Sequence, residues 1–169
     1  ELVSAAHRWN IRRGSVVVME PQTGAILAVA SYPRFNPNSY SEYNLERWRN
    51  TAVVDQFEPG SSFKAITAAA ALELGLAHPE DLFFCENGEI KIGRTVIHDH
   101  EKYSDLTLAE IIKFSSNIGV AKLARQIGSD KLFDFIRRFG FGQTTDIDFP
   151  GESTGQIRDP GDWHAVDLA

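Results

Sequence analysis

The sequence predicts a mixed α/β (α+β) fold of helices and antiparallel hairpins, and three patterns support this prediction. Apolar and β-branched runs at 15–19 and 25–31 flank the turn residues Pro21 and Gly24, which is typical of a β-hairpin. An alanine-rich run at 61–74, followed by Gly75, indicates a helix that is buried on all sides. Thr107 and Glu110 have the spacing of a capping box and mark the start of another helix.

The remaining elements follow from periodicity and from residues that break it. Residues 1–10 have the apolar spacing of a short amphipathic helix, and 32–51 reads as a polar loop with one helical turn at 45–49. Asn87-Gly88 predicts the turn of a second hairpin over 83–97. Further helices are expected over 107–114, 117–127 and 130–139, the last capped by Ser129, before an extended connection from Gly140.

The apolar character of the first hairpin also predicts its surroundings. Val16, Val17 and Val18 on one strand and 26–29 on the other are apolar without alternation. Strands of this kind are typically buried on both faces, so we expect both faces of this hairpin to be covered.

Composition excludes some classes of function. The formal net charge of −6 and the lack of a basic face argue against nucleic-acid binding. Cys85 is the only cysteine, so the chain has no internal disulfide. No apolar run approaches the ~20 residues that span a bilayer.

A serine and a lysine three residues apart carry the main chemical signal. Ser61 and Lys64 open the alanine-rich helix, and positions i and i+3 share one helix face. A desolvated lysine can take the proton of a serine hydroxyl and so activate it as a nucleophile. Ser115-Ser116-Asn117 adds hydroxyls and an amide beside a second helix, which suggests acyl transfer at a serine. Taken singly, each serine cluster could instead cap a helix, and Lys64 could be a solvated surface residue.

These two motifs resemble those of the class B penicillin-binding proteins. Ser61-Ser62-Phe63-Lys64 matches the family's S-x-x-K motif, and Ser115-Ser116-Asn117 matches its S-x-N motif. Flanking segments resemble the same family in the same order along the chain: Tyr32-Pro33, Asn36-Pro37-Asn38, Asn50, Phe57-Glu58-Pro59-Gly60, Leu106-Thr107-Leu108, Ile118-Gly119, Phe139-Gly140-Phe141-Gly142 and Phe149-Pro150-Gly151-Glu152. The Glu-Pro-Gly lead-in resembles the division-specific branch.

The resemblance implies a peptidoglycan D,D-transpeptidase fold and site. It implies that the first hairpin is the outer part of a sheet sandwiched by helices. Ser61 is then the acylated nucleophile, Lys64 its base, Ser115 a proton relay and Asn117 a ligand of the substrate amide. The implied partners are peptidoglycan stem peptides, β-lactam antibiotics, cell-wall synthase and divisome proteins, with no cofactor and no metal. The implied location is the periplasmic face of the bacterial inner membrane, with an anchor that precedes this part.

One departure from the family pattern affects the predicted activity. No lysine is followed by Thr-Gly or Ser-Gly, so the third family motif is absent. We therefore expect residues 1–169 to be a partial transpeptidase domain, cut before that motif and inactive alone. Only two strands of an expected five-stranded sheet would be present. Their bare edge would then favour pairing with another chain.

Other interpretations remain open. A serine β-lactamase or D,D-carboxypeptidase has the same two motifs, and a lactamase needs a further base for which Glu86 and Glu101 are possible sources. A β-lactam-sensing module without transpeptidation is a third reading. The run His98-Asp99-His100-Glu101 resembles a metal cluster but is better interpreted as a polar loop ending a hairpin. The aromatic residues Trp48, Phe141 and Trp163 are expected to be packing residues.

Overall fold

The computed structural model describes residues 1–164, which form two compact units. One unit comprises 1–57 and 146–153, and the other comprises 58–145 and the chain from 154 onward. None of the helices within 1–164 combines the length and apolar character that crossing a bilayer requires. The predicted domain extends to Ala169, and its residues 165–169 lie outside the described part.

The first unit is built on a two-stranded antiparallel sheet. Strands β1 (Gly14–Met19) and β2 (Ile26–Tyr32) pair with Val17 opposite Val29, so the first predicted hairpin is confirmed. The predicted amphipathic helix is also confirmed as α1 (Leu2–Trp9). The loop after β2 contains more helical structure than the single turn predicted: 3-10 turns at Pro37–Glu42 and Leu45–Trp48, and a short helix α2 (Thr51–Val54).

The expectation that both faces of this hairpin are covered is wrong for the structure described. Val17 is 49% exposed and Leu27 66% exposed, and Val16, Val18, Met19 and Ile26 are also exposed. Within this unit the sheet contacts only α1 and α2 among the helices. Two short helices cannot cover both faces of strands of six and seven residues, which explains the exposure.

The helices of the second unit position the candidate site. A 3-10 turn at Gly60–Phe63 leads into α3 (Lys64–Glu73), so the predicted helix begins with a tighter turn than expected. Helix α3 ends before Gly75, whose φ of +65° confirms its role in ending the helix. The other helices are α4 (Leu108–Phe114), α5 (Asn117–Ile127) and α6 (Ser129–Arg138). Ser129 is the first residue of α6 and does not cap it, because Gly128 occupies the cap position.

The second predicted hairpin is wrong in its pairing. Strand β3 (Leu82–Phe84) pairs with the distant strand β6 (Asp105–Thr107). Strands β4 (Glu89–Ile92) and β5 (Thr95–His98) form the hairpin instead. Their two-residue turn begins at Gly93, with φ +60°. Asn87-Gly88 is a turn with positive φ values, as its sequence indicates, but it connects β3 to the start of β4.

The core of the second unit forms where α3 meets α4, α5 and α6. Ala70 and Ala71 of α3 are fully buried, and so are Ile111, Ile118 and Leu123 of the helices around it. Small alanine side chains let neighbouring helices approach closely, and dense apolar packing follows. Helix α3 is therefore a rigid base for the residues at its N-terminal end.

The aromatic residues pack as predicted. The ring of Trp163 meets Phe133 at 6.2 Å between centroids, and Phe141 meets Phe63 at 5.3 Å. In the first unit, Trp48 meets Tyr40 at 5.4 Å. The chain from Gly140 to residue 159 contains no helix or strand, which confirms the predicted extended connection.

Candidate active site around Lys64

Lys64 is a buried lysine at the start of helix α3. Its exposed fraction is 8%, which is unusual because lysine is rarely buried without partners. The Pro59-Gly60 turn precedes it, and Gly60 adopts a φ of +59° that suits glycine. The alternative reading of Lys64 as a solvated surface residue is therefore wrong for this structure.

The Lys64 amine donates three hydrogen bonds to a single turn of chain between α4 and α5. Nζ lies 2.5 Å from the Ser115 carbonyl oxygen, 2.9 Å from Ser115 Oγ and 2.7 Å from Asn117 Oδ1. An ammonium group has three N–H donors, and this arrangement uses all of them. The residues of the two sequence motifs thus meet at one nitrogen.

Ser115 faces Lys64 because of an uncommon backbone conformation. It follows α4 with φ 57° and ψ 42°, the left-handed region that few residues other than glycine adopt. The tight turn aims both its carbonyl and its hydroxyl at Nζ. Backbone conformations of this kind cost on the order of 1–3 kcal/mol and occur often at functional sites.

Asn117 is oriented by hydrogen bonds at both ends of its amide. Its Nδ2 donates to the His98 carbonyl oxygen at 2.7 Å, so its Oδ1 is the end that faces Lys64. Ser116 lies between the two site residues and is 1% exposed. Its Oγ caps α5 by accepting from the Gly119 N–H at 2.9 Å, which confirms the capping alternative for this one serine.

Ser61 lies in the 3-10 turn one helical turn before Lys64. Its side chain is exposed, and among residues 1–164 its hydroxyl has no hydrogen-bond partner. The neighbouring Ser62 hydroxyl instead donates to the Pro59 carbonyl oxygen at 2.6 Å. The structure therefore gathers Lys64, Ser115 and Asn117 by direct hydrogen bonds, and it leaves the Ser61 hydroxyl free and accessible.

Burial lowers the pKa of the Lys64 amine below that of a free lysine. The main cause is desolvation, since the charged form loses water that three hydrogen bonds only partly replace. The negative charge of Asp99 opposes this effect and raises the pKa. A lowered pKa brings the neutral amine, which can accept a proton, closer to working pH.

The geometry permits proton transfer through Lys64. When the amine is neutral it has two N–H donors and one lone pair. A serine hydroxyl can donate as well as accept, so the bond between Lys64 Nζ and Ser115 Oγ can reverse. The pair can then pass a proton between a group beside Lys64 and a group beside Ser115.

Asp99 is the site residue that sequence reasoning missed. The sequence places it in the run that resembled a metal cluster, and among the described residues no group of three metal-ligating side chains forms there. The run does follow strand β5, as the hairpin-end reading predicted. The Asp99 carboxylate accepts from the N–H groups of Asn117 and Ile118. No local pattern signals this contact, because it joins residues 18 and 19 positions apart in the chain.

The chain is similar in sequence to one family of known proteins over nearly all of its length. Residues 14–169 match the family model described as the penicillin binding protein transpeptidase domain. The chain is 36% identical over 169 residues to the probable peptidoglycan D,D-transpeptidase PenA of Neisseria flavescens. It is 35% identical over 169 residues to the peptidoglycan D,D-transpeptidase FtsI of Escherichia coli K12. Each match includes 100% of this chain, but only 42% of the length of PenA and 28% of the length of FtsI.

A solved structure agrees with these sequence relatives. The apo transpeptidase domain of Burkholderia pseudomallei penicillin-binding protein 3 matches with a TM-score of 0.85 at 29% identity. The match covers 99% of this chain and 46% of that one. The chain thus spans less than half the length of the relatives that it matches.

Proposed function

Because the chain belongs to the penicillin-binding protein transpeptidase family, we propose that it forms part of a peptidoglycan D,D-transpeptidase. The reaction is acyl transfer through a serine ester, with Ser61 as the nucleophile. The single observation that carries the proposal is the buried Lys64 amine, held by Ser115 and Asn117 one helical turn from an unbonded Ser61 hydroxyl.

Each of the proposed site residues has its own role in the acylation step. Ser61 Oγ attacks the carbonyl carbon of the penultimate D-Ala of a stem peptide, while Lys64 takes the hydroxyl proton. The C–O ester bond forms, the amide bond to the terminal D-Ala breaks, and Ser115 delivers the proton to the leaving amine. Asn117 binds the substrate amide through Oδ1, the end of its side chain that faces Lys64, which accepts from the substrate N–H.

The second step completes the cross-link. An amine from a neighbouring stem peptide attacks the ester carbonyl and forms a new amide bond. The ester C–O bond to Ser61 Oγ breaks, and a proton from the attacking amine returns to Ser61 Oγ. A β-lactam presents its strained amide to the same serine and leaves a stable acyl-enzyme. The end of the helix at Ser61 supplies backbone N–H groups, which stabilise the negative charge that develops on the carbonyl oxygen.

We propose further that residues 1–169 are the N-terminal part of a longer transpeptidase domain and are inactive alone. The coverage of the relatives supports this, since each extends well beyond the matched region. The Lys-Thr/Ser-Gly motif of the family would then come from the rest of the domain. Acylation of the complete domain but not of residues 1–169 by penicillin is the expected outcome.

The cellular setting follows from the same family. We propose that the protein acts at the periplasmic face of the inner membrane, held by an anchor, on peptidoglycan stem peptides. Cell-wall synthase and divisome proteins are the proposed partners, with a role in division supported by the Glu58-Pro59-Gly60 lead-in. Depletion of the protein should then give filamentous cells, whereas rounded cells would indicate an elongation role.

Self-association of residues 1–169 is a separate proposal. Strands β1 and β2 pair only with each other among the described residues, and their apolar side chains are exposed. Unpaired strand edges with exposed apolar residues favour pairing between chains. Sedimentation of the 169-residue chain should detect dimers, and a monomer at high concentration would contradict this proposal.

The activity is tested with a stem pentapeptide ending in D-Ala-D-Ala and an acceptor amine. The full-length protein should release D-Ala and form the cross-linked amide, and Lys64→Ala should lose both products. Release of D-Ala with water as the only acceptor would indicate a carboxypeptidase, and rapid penicillin turnover would indicate a β-lactamase. Acylation without either product would indicate a β-lactam-sensing module.

A further inference from the structure

Asp99 holds the turn that presents Ser115 and Asn117 to Lys64. Its Oδ1 accepts from the N–H of Asn117 at 2.6 Å and from the N–H of Ile118 at 3.0 Å. Its Oδ2 accepts from the Ser116 hydroxyl at 2.7 Å. One carboxylate therefore binds three successive residues at the start of α5.

The segment that carries Asp99 is itself fixed. The Asp99 N–H donates to the Gly88 carbonyl oxygen at 3.1 Å, and the preceding His98 carbonyl holds the Asn117 amide at 2.7 Å. Residues at the end of strand β5 thus contact Asn117 twice: the His98 carbonyl binds its side-chain amide, and the Asp99 carboxylate binds its backbone N–H. These contacts fix which end of the Asn117 amide faces Lys64.

Asp99 acts on Lys64 without touching it. The Lys64 amine bonds only to Ser115 and Asn117 among the described residues, and it makes no ion pair. The Asp99 charge nevertheless raises the pKa of Lys64, in opposition to burial. Asp99 therefore affects both the location of the acceptors around the amine and the charge state of the amine.

We propose that Asp99 is a positioning residue for acyl transfer at Ser61, which acts by anchoring the Ser115–Asn117 turn against Lys64. This inference rests on the proposed function, because it assumes that Lys64 serves as the base. Asp99 lies outside both motifs that the family resemblance assigned. Its role follows from three hydrogen bonds to the second motif and its flanking residue.

The other titratable groups near this network have separate partners or remain neutral. Burial raises the pKa of the Cys85 thiol, which lies 3.6 Å from Ser116 Oγ, so it stays protonated. The His98 ring faces Glu89 at 3.5 Å and is 62% exposed. Lys122 bonds to Glu86 at 2.5 Å. Asp99 is thus the charge expected to govern Lys64 in a pH profile.

Two substitutions separate the anchoring of the turn from the charge. Asp99→Asn keeps the shape and an oxygen that can accept from Asn117 and Ile118, but it removes the negative charge. Asp99→Ala removes every contact. Glu101→Gln is a matched control, because Glu101 lies in the same loop with a 68% exposed side chain.

The experiment measures the second-order rate of acylation by a fluorescent penicillin across pH in the full-length protein. Asp99→Asn should move the midpoint of the pH profile to lower pH, while Glu101→Gln leaves it unchanged. Asp99→Ala should lower the maximal rate by about 100-fold, the loss typical of a misplacement of about 1 Å in a catalytic group. Thermal unfolding shows whether each variant is folded. If Asp99→Ala is not folded, the test of Asp99 rests on the pH profile of Asp99→Asn.

The outcomes distinguish this inference from the proposed function. A folded Asp99→Ala that reacts at the wild-type rate overturns the anchoring role of Asp99, and an unaltered midpoint in Asp99→Asn overturns the effect of its charge on Lys64. If the wild-type protein is not acylated at Ser61, the proposed function itself fails. A large loss of maximal rate in a folded Asp99→Ala supports the anchoring, and a lowered midpoint in Asp99→Asn supports the effect of the Asp99 charge on Lys64.

Discussion

Gly119 of α5 lies directly against the Ile111 side chain of α4, and replacing it with alanine tests the packing beneath the site. A Cβ on Gly119 would lie 2.5 Å from Ile111 Cγ1 and 2.6 Å from its Cδ1. Ordinary carbon contacts begin near 3.5 Å, so Ile111 must move by about 1 Å. Ile111 is fully buried, and as a β-branched residue in a helix it strongly prefers one rotamer, so a move costs packing energy.

The magnitude follows from two opposing effects of Gly119→Ala. Alanine favours the helix over glycine by about 1 kcal/mol. Overpacking a dense core costs about 1–3 kcal/mol, with the upper part of the range expected here because the contacts are so short. We therefore expect a net loss of about 1–2 kcal/mol in the free energy of unfolding, measured by urea denaturation of the complete transpeptidase domain.

A double-mutant cycle with Ile111→Ala isolates the cause. Removing the Ile111 side chain opens space for the new methyl group, so the double variant should be more stable than the sum of the single effects by about 1 kcal/mol or more. A Gly119→Ala variant that is more stable than the wild type by the full helix preference of alanine would contradict the overpacking. Strict additivity with Ile111→Ala would refute it equally.

Three further predictions concern the same unit. Gly88→Ala should lower the free energy of unfolding by about 3 kcal/mol, because the new Cβ would lie 2.9 Å from the Glu101 carbonyl oxygen and φ is +91°. Gly93→Ala has a φ of +60° but open space around it, so it should cost only about 1 kcal/mol. Equal losses in thermal unfolding would contradict the close approach at Gly88. Thr107→Ala removes the capping box and should lower the free energy of unfolding by about 1 kcal/mol. Thr107→Ser keeps the hydroxyl and should restore most of this stability. A Thr107→Ser variant as unstable as Thr107→Ala would argue against the cap. Between the lowered folded pKa of Lys64 and its ordinary value, the unfolded chain binds more protons than the folded one. Wild-type stability should therefore rise with pH across this window more steeply than that of Lys64→Met, and identical slopes in urea unfolding at alkaline pH would contradict the depressed pKa.

Local chemistry predicted most of the helices and the first hairpin. The capping box at Thr107 forms as its spacing indicates, with the Thr107 hydroxyl accepting from the Glu110 N–H at 3.1 Å. The i, i+3 spacing of Ser61 and Lys64 placed both at the start of one helix, because that relation depends only on helix geometry. The family resemblance predicted that Lys64 and Ser115 belong to one site, since spacing alone cannot bring together residues 51 positions apart.

The errors arise where long-range pairing prevails over local preference. Asn87-Gly88 is a strong hairpin signal, yet β3 pairs with β6, and Cys85 bonds through its N–H to the Ser104 carbonyl. The burial of the first hairpin was inferred from its apolar sequence, and burial depends on which elements lie over the sheet. Asp99 could not be found for a similar reason, because its contacts form only when β5 and α5 come together.

The central claim is that Ser61 accepts an acyl group with the help of the Lys64 amine. The most direct measurement is peptide mapping by mass spectrometry of the full-length protein after reaction with penicillin, comparing the wild type with Ser61→Ala and Ser62→Ala. We expect a penicilloyl group on Ser61 alone, full loss of labelling in Ser61→Ala and little change in Ser62→Ala. Label on Ser62, Ser115 or Ser116, or undiminished labelling of Ser61→Ala, would contradict it.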